Sequence, residues 1–163
     1  MVGESKLKEL KKEYSKIQKK YGLPDFDKLN EDFKIEKVAE TETDFLVREI
    51  RESLGETLEN FLRLIEIILN PVNVPMFLFP IIKSLNTEEK NKLSEIYKKL
   101  SKLEIEAMKL IDYSEKKEAE FIKNSYKLWL EIKRDFIKII EAVENKLDNK
   151  DAKIEKNEKG YFG

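Results

Sequence analysis

A chain of 163 residues has the length of one domain, and a compact fold of that size buries roughly 70% of the surface its unfolded form exposes. Its 32 basic and 33 acidic residues leave a net charge of -1, which offers no global attraction for nucleic acid or anionic lipid. Cysteine and histidine are both absent, which excludes disulfides, thiol nucleophiles, imidazole zinc sites, Ser-His-Asp catalysis and the Glu-x-x-His di-iron motif of helical bundles.

The amino terminus, Met1-Val2-Gly3-Glu4-Ser5-Lys6, turns charged before any apolar run begins, so no secretory leader is expected. Leu7, Leu10, Tyr14, Ile17 and Tyr21 then recur at alternating steps of three and four. This narrow a/d stripe predicts a first helix over about residues 4–21. Gly22 suits the left-handed position after the helix, Leu23 the accompanying apolar contact, and Pro24 blocks continuation.

Residues 25–43 are acidic and irregular, with a short helix through Phe26, Leu29 and Phe33. Thr43 or Asp44 then caps a second long helix over about 44–70, striped by Val47, Ile50, Leu54, Leu58, Phe61, Ile65 and Ile68. Gly55 lies in its interior, at a cost of about 1 kcal/mol relative to alanine, and close approach of another backbone is the expected compensation. Asn70-Pro71 ends the helix. The segment from Pro71 to Pro80 is a proline-punctuated apolar connector, expected to fold against the apolar end of the bundle. It and the run before it hold Arg63, Glu66, Asn70, Asn73 and three prolines, so no membrane span is expected.

Asn86-Thr87-Glu88-Glu89 reads as a capping box for a third long helix over about 88–111, with Thr87 as the competing cap. No glycine or proline follows until Gly160. A break is placed at Asp112-Tyr113-Ser114, with Asp112 and Glu115 as a second box; one helix of about 60 residues is the alternative, because the apolar phase runs on. The fourth helix, about 115–147, shows two apolar stripes. Ala119, Ile122, Tyr126, Trp129, Phe136, Ile140, Val143 and Leu147 form one, and Phe121, Leu128, Ile132 and Ile139 the other. Residues 148–163 read as a charged, disordered tail whose Tyr161-Phe162 resembles a short docking peptide.

The expected fold is therefore all-α. It is a four-helix bundle-like array of long antiparallel helices, forming a single domain over 1–147. Leu-Pro-Asp-Phe (23–26), Asp-Phe-Leu-Val-Arg-Glu-Ile-Arg (44–51) and Lys-Glu-Ala-Glu-Phe-Ile (117–122) together resemble an uncharacterised family of archaeal helical proteins. That resemblance implies a helical fold and neither an activity nor site residues. The composition, 40% charged and rich in lysine and glutamate, suits a cytoplasmic protein of a thermophile.

Three sets of residues invite a functional reading. Glu49, Glu52, Glu56 and Glu59 have the i, i+3 spacing with which all-α nucleotide pyrophosphatases hold Mg²⁺, but by helical geometry they centre opposite the apolar stripe and should face water. Seven lysines against three glutamates give the first helix a net +4; Lys8, Lys12, Lys16 and Lys19 are its candidates for phosphate contact, and the acidic segment after it is available to neutralise them. Lys133 interrupts the main stripe of the fourth helix between Trp129 and Phe136, as a snorkelling, register-fixing or activated lysine. No set converges for catalysis, and no cofactor is expected. The favoured function is a non-enzymatic interaction or scaffold protein, a homo-oligomer or a binder of a protein partner, anchored by Tyr14, Tyr21, Phe121, Leu128, Trp129 and Lys133. Nucleic-acid association through the lysines and a Mg²⁺-dependent pyrophosphatase are the alternatives.

Overall fold

Alternating apolar steps produce the first helix where the sequence places it. In the computed structural model, which describes residues 2–161, α1 spans Glu4–Tyr21 and buries Leu10 and Tyr14. It stops at Gly22, whose φ of 67° is the left-handed conformation that only glycine adopts without a Cβ penalty. Gly22 N donates to Gln18 O at 2.8 Å, and the Tyr14 hydroxyl donates to the Pro24 carbonyl at 2.6 Å, tying the turn back onto the helix.

The acidic segment is more regular than its composition suggests. Asp25 accepts from the amides of Asp27 and Lys28 and so caps α2, Phe26–Phe33, which buries Phe26, Leu29 and Phe33. A 3-10 segment, Ile35–Glu40, follows. Asn30 fixes its start by bonding both the carboxylate and the amide of Glu36, at 2.7 and 2.8 Å.

Helix α3, Leu46–Leu69, carries the expected stripe, with Val47, Ile50, Leu54, Leu58, Ile65 and Ile68 all buried. The Thr43 hydroxyl accepts from the Phe45 amide at 2.9 Å and closes the turn ahead of the helix instead of capping it. Gly55 departs from expectation. A Cβ at this position would meet no atom within 4 Å, so no backbone packs closely against it.

The chain then passes through a 3-10 turn, Met76–Leu78, into α4, Phe79–Ser84. Helix α5, Thr87–Met108, opens on the reciprocal box: Glu89 N donates to Asn86 Oδ1 at 2.8 Å, and Asn86 N to Glu89 Oε2 at 2.9 Å. It ends at Met108, and α6 begins at Glu115, so α5 and α6 are separate helices. Ser114, not Asp112, supplies the α6 cap by accepting from Lys117 N at 3.4 Å. Helix α6 runs past Leu147 to Tyr161.

The fold is all-α, with no strand among the described residues. None of the described helices is long and apolar enough to cross a membrane. The elements form two compact units. In the first, Met1–Leu62 with Lys99–Leu130, the Trp129 ring packs against Phe33 and Phe61, with centroids 5.6 and 5.2 Å away, and its N–H donates to Asp32 at 3.0 Å. In the second, Arg63–Lys98 with Glu131–Gly163, the buried residues include Ile65, Ile68, Leu78, Leu93, Ile96 and Ile139.

The two glycines separate in a measurable way. Gly55→Ala should stabilise the protein by about 0.5–1 kcal/mol, because the helix gains propensity and the new methyl meets open space. Gly22→Ala should destabilise it by about 1 kcal/mol through its positive φ. Urea unfolding of the two variants checks both signs.

Candidate functional site

Helix α6 has one buried seam that neither apolar stripe of the sequence describes alone. Glu115, Glu118, Ile122, Ser125, Trp129, Ile132, Phe136, Ile139, Val143 and Lys146 alternate at steps of three and four, and each is buried or half-buried. Four of the ten are polar. A search for apolar residues skips those positions, which is why the seam reads from sequence as two stripes.

Within the first unit, Glu118 is fully buried. Arg48 Nε donates to its Oε1 at 2.8 Å, Arg48 Nη2 lies 2.8 Å from the same oxygen without hydrogen-bond alignment, and Arg51 Nε stands 3.8 Å from Oε2. The Arg48 guanidinium also lies over the Tyr113 ring at 5.0 Å, and Tyr113 packs edge-on against Phe45. One turn earlier on α6, Glu115 accepts from the Tyr21 hydroxyl and pairs with Lys20 at 2.9 Å. These bonds, Tyr21's foremost, hold the Glu115 carboxyl below its ordinary value, whereas burial pushes the Tyr113 hydroxyl up. Arg48 is thus committed to the Glu118 carboxylate, while Arg51 stands near it and bonds Glu52.

The second unit repeats the device at the other end of the seam. Lys146 Nζ donates to both carboxylate oxygens of Glu89, at 2.7 and 2.8 Å, and to the Ser84 carbonyl at 2.9 Å. One ammonium therefore ties α6 to the end of α4 and to the capping box of α5. Burial acts to raise the Glu89 carboxyl, but the bonds from Lys146 and the Asn86 amide outweigh it and hold the group below its ordinary value.

The residues singled out in the sequence fall into place as follows. Tyr14, Phe121 and Trp129, expected to anchor an interface, are buried in the chain's own core and are not available on its surface. Tyr21, Leu128 and Lys133 are half-buried; Tyr21 serves Glu115, and Lys133 stands one position off the seam, beside Ile132. Of the glutamate row, Glu52, Glu56 and Glu59 are exposed and Glu49 half-buried; Glu56 pairs with Lys37 at 2.9 Å and Glu52 with Arg51 at 3.3 Å. No group of three acidic side chains suited to a metal ion occurs among the described residues. Lys8, Lys12, Lys16 and Lys19 are all exposed on α1. Lys16 pairs with Glu13 at 2.7 Å, and the neighbouring Lys6 and Lys11 pair with Glu40 and Asp27 at 3.3 and 2.8 Å. A groove of about 860 Å³ beside α1 is lined by the Lys16–Glu13 and Lys6–Glu40 pairs and by Leu10, Ile17 and Val38. Phe162 lies outside the described residues, and so does the side chain of Tyr161.

The connector departs from the sequence expectation. Leu78, Ser84 and Leu85 are buried, but Val72, Met76, Phe77 and Phe79 are 68%, 86%, 72% and 46% exposed. The expected folding-back of the apolar connector is therefore only partial. Leu78 points inward as the anchor, while the aromatic residues on either side of it point out. From Ile67 to Ile82 the chain carries no charge over sixteen residues, in a protein that is 40% charged.

Glu89 and Glu115 both have folded-state pKa values below the ordinary 4.5. Their contribution to stability is complete above pH 4.5 and is lost as pH falls through the lower folded-state values. Wild-type denaturation midpoints should therefore drop below pH 4.5, and Glu89→Gln and Glu115→Gln should each flatten that drop. Parallel curves for variants and wild type would remove these ion pairs from the account.

Comparison with protein-family models, with curated proteins and with solved structures finds no match.

Proposed function

We propose that the chain is a cytoplasmic, non-enzymatic interaction protein that docks through its exposed connector. The observation that carries this reading is the outward display of Met76, Phe77 and Phe79 on a segment without a single charge. Isolated apolar residues on a surface are ordinary, but methionine and aromatic side chains grouped on one short segment have the composition of an interface core. Chemistry has little support by comparison. The fully buried carboxylate, Glu118, is engaged by arginine, and Glu89 is engaged by Lys146. Glu104, whose carboxyl is raised by burial and by Glu59, has no nucleophile or metal cage assigned beside it.

The lysine reading is the weaker second. Lys8, Lys12 and Lys19 share one exposed face of α1 without ion pairs, which amounts to three phosphate contacts on a chain of net charge -1. Each contact contributes about one unit of salt dependence, so binding at physiological salt through three is slight.

The docking reading separates display from packing. A Met76→Ser/Phe77→Ser double variant should unfold within about 0.5 kcal/mol of wild type, since exposed side chains contribute little to stability. Its retention on a phenyl-substituted resin should fall clearly. A loss of stability above about 2 kcal/mol would show these residues to be core and end the reading.

A further inference from the structure

We infer that the connector's occupant is a second copy of the same chain, the two connectors pairing about a two-fold axis. The inference rests on the docking reading and adds the partner to it. Three observations point to self-pairing. The first is area: at about 200 Å² for a full aromatic side chain, the exposed parts of Val72, Met76, Phe77 and Phe79 come to roughly 500 Å². Two such patches bury roughly 1,000 Å² together, which reaches the lower bound of a biological contact and places the dimer among weak, reversible ones.

The second observation is charge. A charge near the two-fold axis is set against the same charge of the other copy, and the connector has none to oppose. The third is the polarity of the segment's ends. The uncharged window is bounded by Glu66 on one side and Lys83 on the other, both exposed. In an isologous contact the segments run antiparallel, so the Glu66 end of one copy meets the Lys83 end of its partner. A lipid surface fits less well. Membrane-docking segments are flanked by several basic residues, whereas here one acid and one base stand at the borders, and Asn70 and Asn73 expose amides within the segment.

Sedimentation velocity of the full chain from about 1 to about 100 µM, a range that brackets micromolar dissociation, reads the result directly. The expected outcome is a reversible dimer whose dissociation constant rises at least tenfold in Phe77→Asp, a substitution at an exposed site that leaves the helical spectrum unchanged. Lys83→Glu should weaken the dimer, and adding Glu66→Lys to it should restore pairing. A monomer throughout the range overturns the inference; if that monomer still shows connector-dependent retention on phenyl resin, the docking reading survives and only the partner is wrong. A dimer indifferent to Phe77→Asp also overturns it, as does a monomer that floats with neutral phosphatidylcholine vesicles through Phe77.

Discussion

Ionisable groups on the buried seam of α6 constrain everything around them. Moving a charge out of water costs several kcal/mol even after relaxation, and the cost is offset only by a counter-charge in good geometry. Glu118 is fully buried, so the side chains opposite it have to be cationic and correctly spaced. Arg48 and Arg51, one turn apart on α3, meet that requirement in one register, with Arg48 bonded at 2.8 Å and Arg51 standing at 3.8 Å. Arg51 Nε, Glu118 Oε2 and Ser125 Oγ make no hydrogen bond to another protein group. A partly satisfied network of this kind leaves buried polar atoms uncompensated and is weak ground for high stability.

The same principle links the core of the second unit to its surface. Lys146 holds Glu89 and the Ser84 carbonyl, while the Ser84 hydroxyl donates to the Pro80 carbonyl at 2.7 Å. Helix α4 is thereby fixed at its end, and Leu78 anchors the turn before it. Phe79 lies between these two fixed points and Phe77 immediately precedes the first, and both stay exposed.

Local signals in the sequence foretold local structure well. Gly22 with Pro24 marked the end of α1, the seven-residue stripe from Val47 marked the buried face of α3, and Asn86 with Glu89 formed the box that opens α5. Each rests on residues within a few positions of one another. What was not legible depends on partners distant in the chain. Arg48 and Glu118 are seventy residues apart, and Glu89 and Lys146 fifty-seven. The alternating three-four spacing of the seam, which puts Glu115 and Glu118 on the core side of the fourth helix, is visible in the sequence alone; the arginine that meets Glu118 is not. Gly55 and the connector differ from expectation for a related reason: residue type alone does not set burial, which depends on what the rest of the fold brings near.

Glu118 and Arg48 act as one unit. A double-mutant cycle in urea, comparing Arg48→Met, Glu118→Leu and the pair together, tests this directly. Arg48→Met strands a fully buried carboxylate and should be the less stable single variant, since the Arg48 and Arg51 side chains left by Glu118→Leu are 26% and 15% exposed whereas Glu118 is at 0%. The double variant should recover most of the loss seen in Arg48→Met. Losses that simply add would contradict the account.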